Sequence, residues 1–115
     1  GPSIKGDTMV CRGRELFTPD SAGLKKIMGK NSSSLMACYK DGLWRDITLR
    51  GKLTLRFLVR ADGTVRSCAV KRPLSDPKVG TCMCTKVLTF TGFKGPSKEG
   101  CLAGYNYSLT LIPPN

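Results

Sequence analysis

The chain contains no histidine. Within its own residues this excludes Ser-His-Asp and Cys-His nucleophile systems and histidine-based ribonuclease chemistry. A zinc site would have to be made of thiolates alone, and Cys82-x-Cys84 is tighter than the usual C-x₂₋₄-C pair. Acidic residues are also scarce, 8 against 19 Lys and Arg. Asp20 and Asp76 read as helix caps and Asp62 as a turn residue, so paired catalytic carboxylates have no evident source. No Gly-rich phosphate loop occurs, and no apolar run is long enough for a transmembrane helix or a signal peptide. The expectation is a protein without enzymatic activity, metal or cofactor.

The 115 residues suffice for one domain with a modest core, not for two. The formal charge of +11 favours polyanions in general. The basic residues run from Lys5 to Lys98 without a dense block, which equally describes solvated faces. Six cysteines is a high density and points to an oxidising compartment and disulfides. Gly1-Pro2-Ser3 has the look of a cleaved-tag remnant, so the expectation is a piece of a longer protein with its anchor elsewhere. Residues 1–15 show no periodicity and read as an irregular lead-in, which Cys11 could tie to the body; residues 16–115 read as one domain.

Thr18-Pro19-Asp20-Ser21 has the chemistry of a helix start, a capping side chain with Pro where its missing N–H costs little. Leu24, Ile27, Met28, Leu35, Cys38, Tyr39 and Leu43 then follow helical spacing. Gly29 and the run from Asn31 to Ser34 weaken the middle, leaving either one helix with a loose turn or two helices. From Lys52 to Arg60, Leu53, Leu55, Phe57 and Val59 alternate with polar residues, the period of a half-buried strand over about 50–60. Asp62-Gly63 supplies a positive-φ turn into a second strand over about 64–72, which Pro73 ends. Asp76-Pro77 opens another helix with Val79, Cys82, Met83, Lys86, Val87 and Phe90 on its stripe, Lys86 being the one polar entry. Tyr105 to Ile112 alternates again and stops at Pro113-Pro114.

The predicted class is α+β, in the order α-β-β-α-β. A hairpin followed by a crossover helix puts the last strand beside the first, a three-stranded sheet of order 2-1-3 with two helices packed on one face. Lys52, Thr54, Arg56, Arg60, Asn106, Ser108 and Thr110 then lie on the other face.

Cys38-Tyr39 late in the first helix, Gly51-Lys52-Leu53 opening a strand, Phe57 with Ala61-Asp62-Gly63-Thr64-Val65 across the turn, and Asp76-Pro77-Lys78-Val79 followed by Cys82 form an ordered set. In this set, with Phe90 and Phe93 near its end, residues 24–112 resemble the TonB C-terminal-domain-like modules of the AgmX/PglI type. The resemblance implies a non-enzymatic periplasmic domain of a Gram-negative envelope protein anchored in the inner membrane, with a part in energy coupling or gliding motility. It also implies a Cys38–Cys82 disulfide. Cys11, Cys68, Cys84 and Cys101 are additions to the family pattern, as is Gly80 where a better helix former is usual. Their pairing is open, although Cys82 and Cys84 stand roughly 200° apart around a helix and so seek different partners.

Related TonB domains take up a partner segment as an added strand. The last strand here has an outer edge that could do the same, with the backbone of Tyr105, Asn106, Tyr107, Ser108, Leu109 and Thr110 as binding residues. Tyr105 and Tyr107 are expected in the core rather than in direct contact. The expected partner is a segment of a periplasmic or outer-membrane protein; pairing with a second copy, or coverage of the edge by residues 1–15, would use the same groups. The alternative is a disulfide-stapled cationic domain that binds an anionic envelope polymer through Lys52, Arg56, Arg60 and Arg66. The expected compartment and the lack of interleaved exposed aromatics argue against nucleic acid.

Overall fold

A computed structural model of the protein describes residues 3–6 and 20–114. Asp20 caps α1 (Ser21–Lys30), its carboxylate accepting from the Gly23 N–H at 3.0 Å; Thr18 and Pro19 lie outside the described residues. Asn31 decides between one helix and two. Its backbone N–H and its side-chain amide both donate to the Ile27 carbonyl, at 3.2 and 2.8 Å, which closes α1. A second helix, α2 (Ser32–Arg45), starts at the next residue. Leu24 and Met28 of α1 and Leu35, Cys38 and Tyr39 of α2 are buried, as their spacing requires.

The first long strand, β2 (Gly51–Arg60), follows. Within the lead-in, β1 (Ser3–Gly6) is also a strand, so the lead-in is not irregular throughout. All of Leu53, Leu55, Phe57 and Val59 are buried. The turn into β3 (Val65–Arg72) is a four-residue connection, 61–64, in which Gly63 alone has positive φ, +87°. Gly63 N–H donates to Arg60 O at 2.9 Å, and Arg60 N–H donates to Thr64 O at 2.8 Å. This pattern is a tight turn closed by a left-handed residue. A Cβ at Gly63 would also stand 2.7 Å from the Phe93 carbonyl oxygen.

Asp76 caps α3 (Pro77–Val87) by accepting from the Lys78 N–H at 3.0 Å, with Pro77 in the first turn. The last strand, β4 (Leu102–Leu111), begins three residues before Tyr105. Leu102, Ala103, Gly104 and Tyr105 are consecutively buried, so no alternation marked that beginning.

The sheet order is β1-β4-β2-β3, antiparallel throughout. The predicted 2-1-3 order is present as β3-β2-β4, and β1 adds a fourth strand outside β4. The helices cover one face. Their buried side chains join Leu53, Leu55, Phe57, Val59, Tyr105 and Tyr107 in a single core cluster, with Phe57 between Phe93 and Tyr105 at ring-centroid distances of 5.3 and 5.8 Å.

Two disulfides fix α3 from opposite sides. Cys38–Cys82 joins it to α2 with a Cα–Cα distance of 5.7 Å, and Cys68–Cys84 joins it to β3 at 5.3 Å. Both distances suit an unforced bridge. The first is the pairing the resemblance implied, and the different partners of Cys82 and Cys84 follow from their angular separation. Cys101 is buried, and Cys11 lies outside the described residues. Gly80 has a packing reason: a Cβ there would approach the two Val70 methyls at 2.8 and 2.9 Å, so glycine lets α3 lie close on β3.

Candidate functional site

β4 offers two edges. Its inner edge pairs with β2 along its whole length, from Gly51↔Leu111 to Arg60↔Leu102. Its outer edge, expected to be open from Tyr105 to Thr110, carries β1 in the register Ser3↔Ser108, Ile4↔Tyr107, Lys5↔Asn106 and Gly6↔Tyr105. The expectation of an open edge is therefore corrected over four of its six residues, while Leu109 and Thr110 lie beyond β1. The cause is general: a row of backbone N–H and C=O groups is satisfied by any extended segment that can reach it, and residues 3–6 reach it.

The side chains of β4 divide as the alternation requires. Tyr105 and Tyr107 point into the core and are buried, as expected of them. The Tyr105 hydroxyl donates to the Lys94 carbonyl at 2.8 Å, and burial pushes its pKa up to about 12. Burial also raises Tyr107. On the other face, the Ser108 and Thr54 hydroxyls share a hydrogen bond at 2.9 Å. Along Tyr105–Ser108 the outer edge thus pairs with β1 through backbone, with the two tyrosine side chains turned into the core behind it.

The four basic residues are not brought together as one patch. Lys52, Arg56 and Arg60 lie four residues apart on β2, about 13 Å per step, which exceeds the screening length at physiological salt. Gly104 leaves room for the Arg56 guanidinium: a Cβ there would meet its Nη2 at 2.6 Å. Arg60 is turned back on its own hairpin, donating to Thr64 Oγ1 at 3.2 Å and to the Val65 carbonyl at 3.3 Å. Arg60 and Arg66 line an open groove of about 700 Å³ whose wall also holds Asp62 and Glu99, so the field there is mixed. Hydrogen bonds from the Thr64 hydroxyl and N–H hold the Asp62 carboxyl below the usual range and keep it charged. Among the described residues, no group of three or more His, Cys, Asp or Glu could hold a metal ion.

Sequence reading passed over Trp44, Ile47 and Ile112, all strongly exposed. The signal was present in Trp44, which falls roughly 180° from Leu35 on the helical wheel.

Compared with known protein families, curated proteins and solved structures, the chain matches none of them. The two disulfides, together with the lack of any described helix long and apolar enough to cross a membrane, are compatible with an extracytoplasmic domain.

Proposed function

We propose that this chain is a protein-interaction domain that binds an extended segment of a partner as an added strand on the outer edge of β4. The observation that carries the reading is the seat of Ser3–Gly6 on Tyr105–Ser108. A short segment, remote in sequence, is paired there through its backbone. Four residues supply few hydrogen bonds, so a longer partner segment that continues along Leu109 and Thr110 gains pairing that β1 does not make. β1 is then the resident occupant and the partner its replacement.

The motif resemblance supports a periplasmic setting, with the domain carried by an inner-membrane-anchored protein and the partner segment in the periplasm or outer membrane. The disulfides are consistent with that compartment. In this reading the domain couples an inner-membrane machine to an outer-envelope component. Antiparallel pairing suits such a task because the backbone bonds along the strand share an applied load.

The test compares the full chain with its Ile4→Pro/Lys5→Pro variant, which cannot donate from those positions to β4. Extended peptides from periplasm-facing segments of envelope proteins are titrated into the labelled proteins in moderate salt. Amide shifts should concentrate on Leu102–Leu111, and the variant should bind about tenfold tighter because the competing strand is gone. Peptides that shift only Lys52, Arg60 and Arg66, with binding lost as salt rises, would replace this reading with the polyanion one.

A further inference from the structure

One end of the molecule gathers three exposed apolar side chains. Trp44 is 90% exposed on the last turn of α2, Ile47 is 79% exposed in the turn that follows, and Ile112 is 68% exposed just past β4. They lie at the same end because Gly51 pairs with Leu111: Ile112 directly follows that pair, and Ile47 stands four residues before Gly51 on the chain that leads from α2. The turn that displays Ile47 is firmly based. Leu49 is buried, its N–H donates to Asp46 O at 3.1 Å, and its carbonyl accepts the Tyr39 hydroxyl at 2.5 Å. These side chains therefore protrude from a rigid base rather than from a loose loop.

Four cations belong to the same end of the sheet. Arg50 directly precedes β2 and Lys52 is its second residue, while Lys71 and Arg72 end β3, with Arg72 opposite Thr54; all four are exposed. None is in an ion pair among the described residues, where the ion pairs belong to Arg45. The acids of this end are otherwise engaged: Asp41 and Asp76 hold Arg45, and Asp46 accepts from the Thr48 N–H and hydroxyl.

From this we infer that the Trp44–Ile47–Ile112 end docks on an anionic lipid surface. Trp and isoleucine side chains on separate protrusions suit the headgroup boundary, where an indole is favoured and no matching pocket is needed. The basic residues of this end meet the negative headgroups while the apolar tips enter between them. A dedicated protein site would instead set its aromatic anchor in a well-packed, partly desolvated surround, and Trp44 has none. This inference is independent of the β4 edge, which uses other residues.

Trp44 is the chain's single tryptophan, so its emission reports on this end alone. The full chain is mixed with vesicles of phosphatidylcholine, with and without one-third phosphatidylglycerol, and followed by Trp44 fluorescence and co-sedimentation. Binding to the anionic vesicles alone, with a blue-shifted emission quenched by brominated lipid, is the expected result. Ile47→Ser/Ile112→Ser and Arg50→Gln/Arg72→Gln should each weaken binding roughly tenfold or more; these sites are exposed, and far-UV circular dichroism checks that both variants fold. No binding, or binding with Trp44 emission unchanged, overturns the inference. So does an emission change that tracks protein concentration without lipid, since a second copy would then be covering the end.

Discussion

Arg45 Nε donates to Asp76 Oδ2 at 2.7 Å, joining the last turn of α2 to the residue that caps α3. Asp76 thus serves two elements, and its hydrogen bonds with Arg45 and the Lys78 N–H hold its carboxyl below the ordinary value of 3.8. A depressed folded-state pKa contributes stability that is present above the unfolded value and lost as pH falls through the folded one. Asp76→Ala should lower the melting temperature by a few degrees at neutral pH and reduce the acid dependence of stability. Arg45→Met, which keeps the cap, should cost less. Thermal melts from about pH 6 to about pH 2 check both; equal losses in the two variants would show that the cap contributes nothing.

The two disulfides should differ in weight. Cys38–Cys82 spans a sequence separation of 44 and Cys68–Cys84 one of 16. In the loop-entropy account these correspond to about 4 and about 3 kcal/mol. Denaturant unfolding of Cys38→Ser/Cys82→Ser and of Cys68→Ser/Cys84→Ser should show losses in that order. Mapping by mass spectrometry without reduction should recover both pairings from the oxidised chain.

Gly80 is the third test. Because a side chain there would press on Val70, Gly80→Ala should destabilise despite alanine's better helix propensity. Overpacking of this kind costs about 1–3 kcal/mol. Gly29 is the control, since a Cβ there meets nothing within 4 Å; Gly29→Ala should stabilise by somewhat under about 1 kcal/mol. Urea midpoints of the two variants should move in opposite directions.

These residues also show what the sequence made legible. Alternation along Leu53–Val59 and the caps at Asp20 and Asp76 are local signals, and the three main strands and the helices followed from them. The angular separation of Cys82 and Cys84 foretold different partners, but Cys68 could be named only once β3 and α3 were in contact. β1 was illegible because four residues carry no period; it exists through the open edge of β4 rather than through its own composition. Coverage of that edge by residues 1–15 was one of the alternatives left open, and it is the one that residues 3–6 realise. The four basic residues looked like one face because their spacing along the chain hides distance and the opposing charges of Asp62 and Glu99. Trp44 was legible as well, since it stands roughly 180° from Leu35 around α2, away from the buried stripe.

Tyr105 provides the alkaline test. Its ring stacks on Phe57, and its hydroxyl donates to the Lys94 carbonyl at 2.8 Å. Burial raises its pKa from 10.0 to about 12. A raised folded-state value means that the folded form holds the proton more tightly than the unfolded one. This contribution to stability is complete below pH 10 and disappears as pH rises toward 12. Burial also raises Tyr39 and Tyr107, so all three tyrosines of the chain should ionise late. Absorbance at the tyrosinate band should therefore rise together with loss of the far-UV signal rather than before it. Tyr105→Phe should cost about 1 kcal/mol at neutral pH through the lost hydrogen bond and should weaken the alkaline decline. A tyrosine that titrates near its ordinary value in a chain still folded, with the Tyr105→Phe decline unchanged, would place the ring outside the core and remove the rigid backing on which the β4 edge depends.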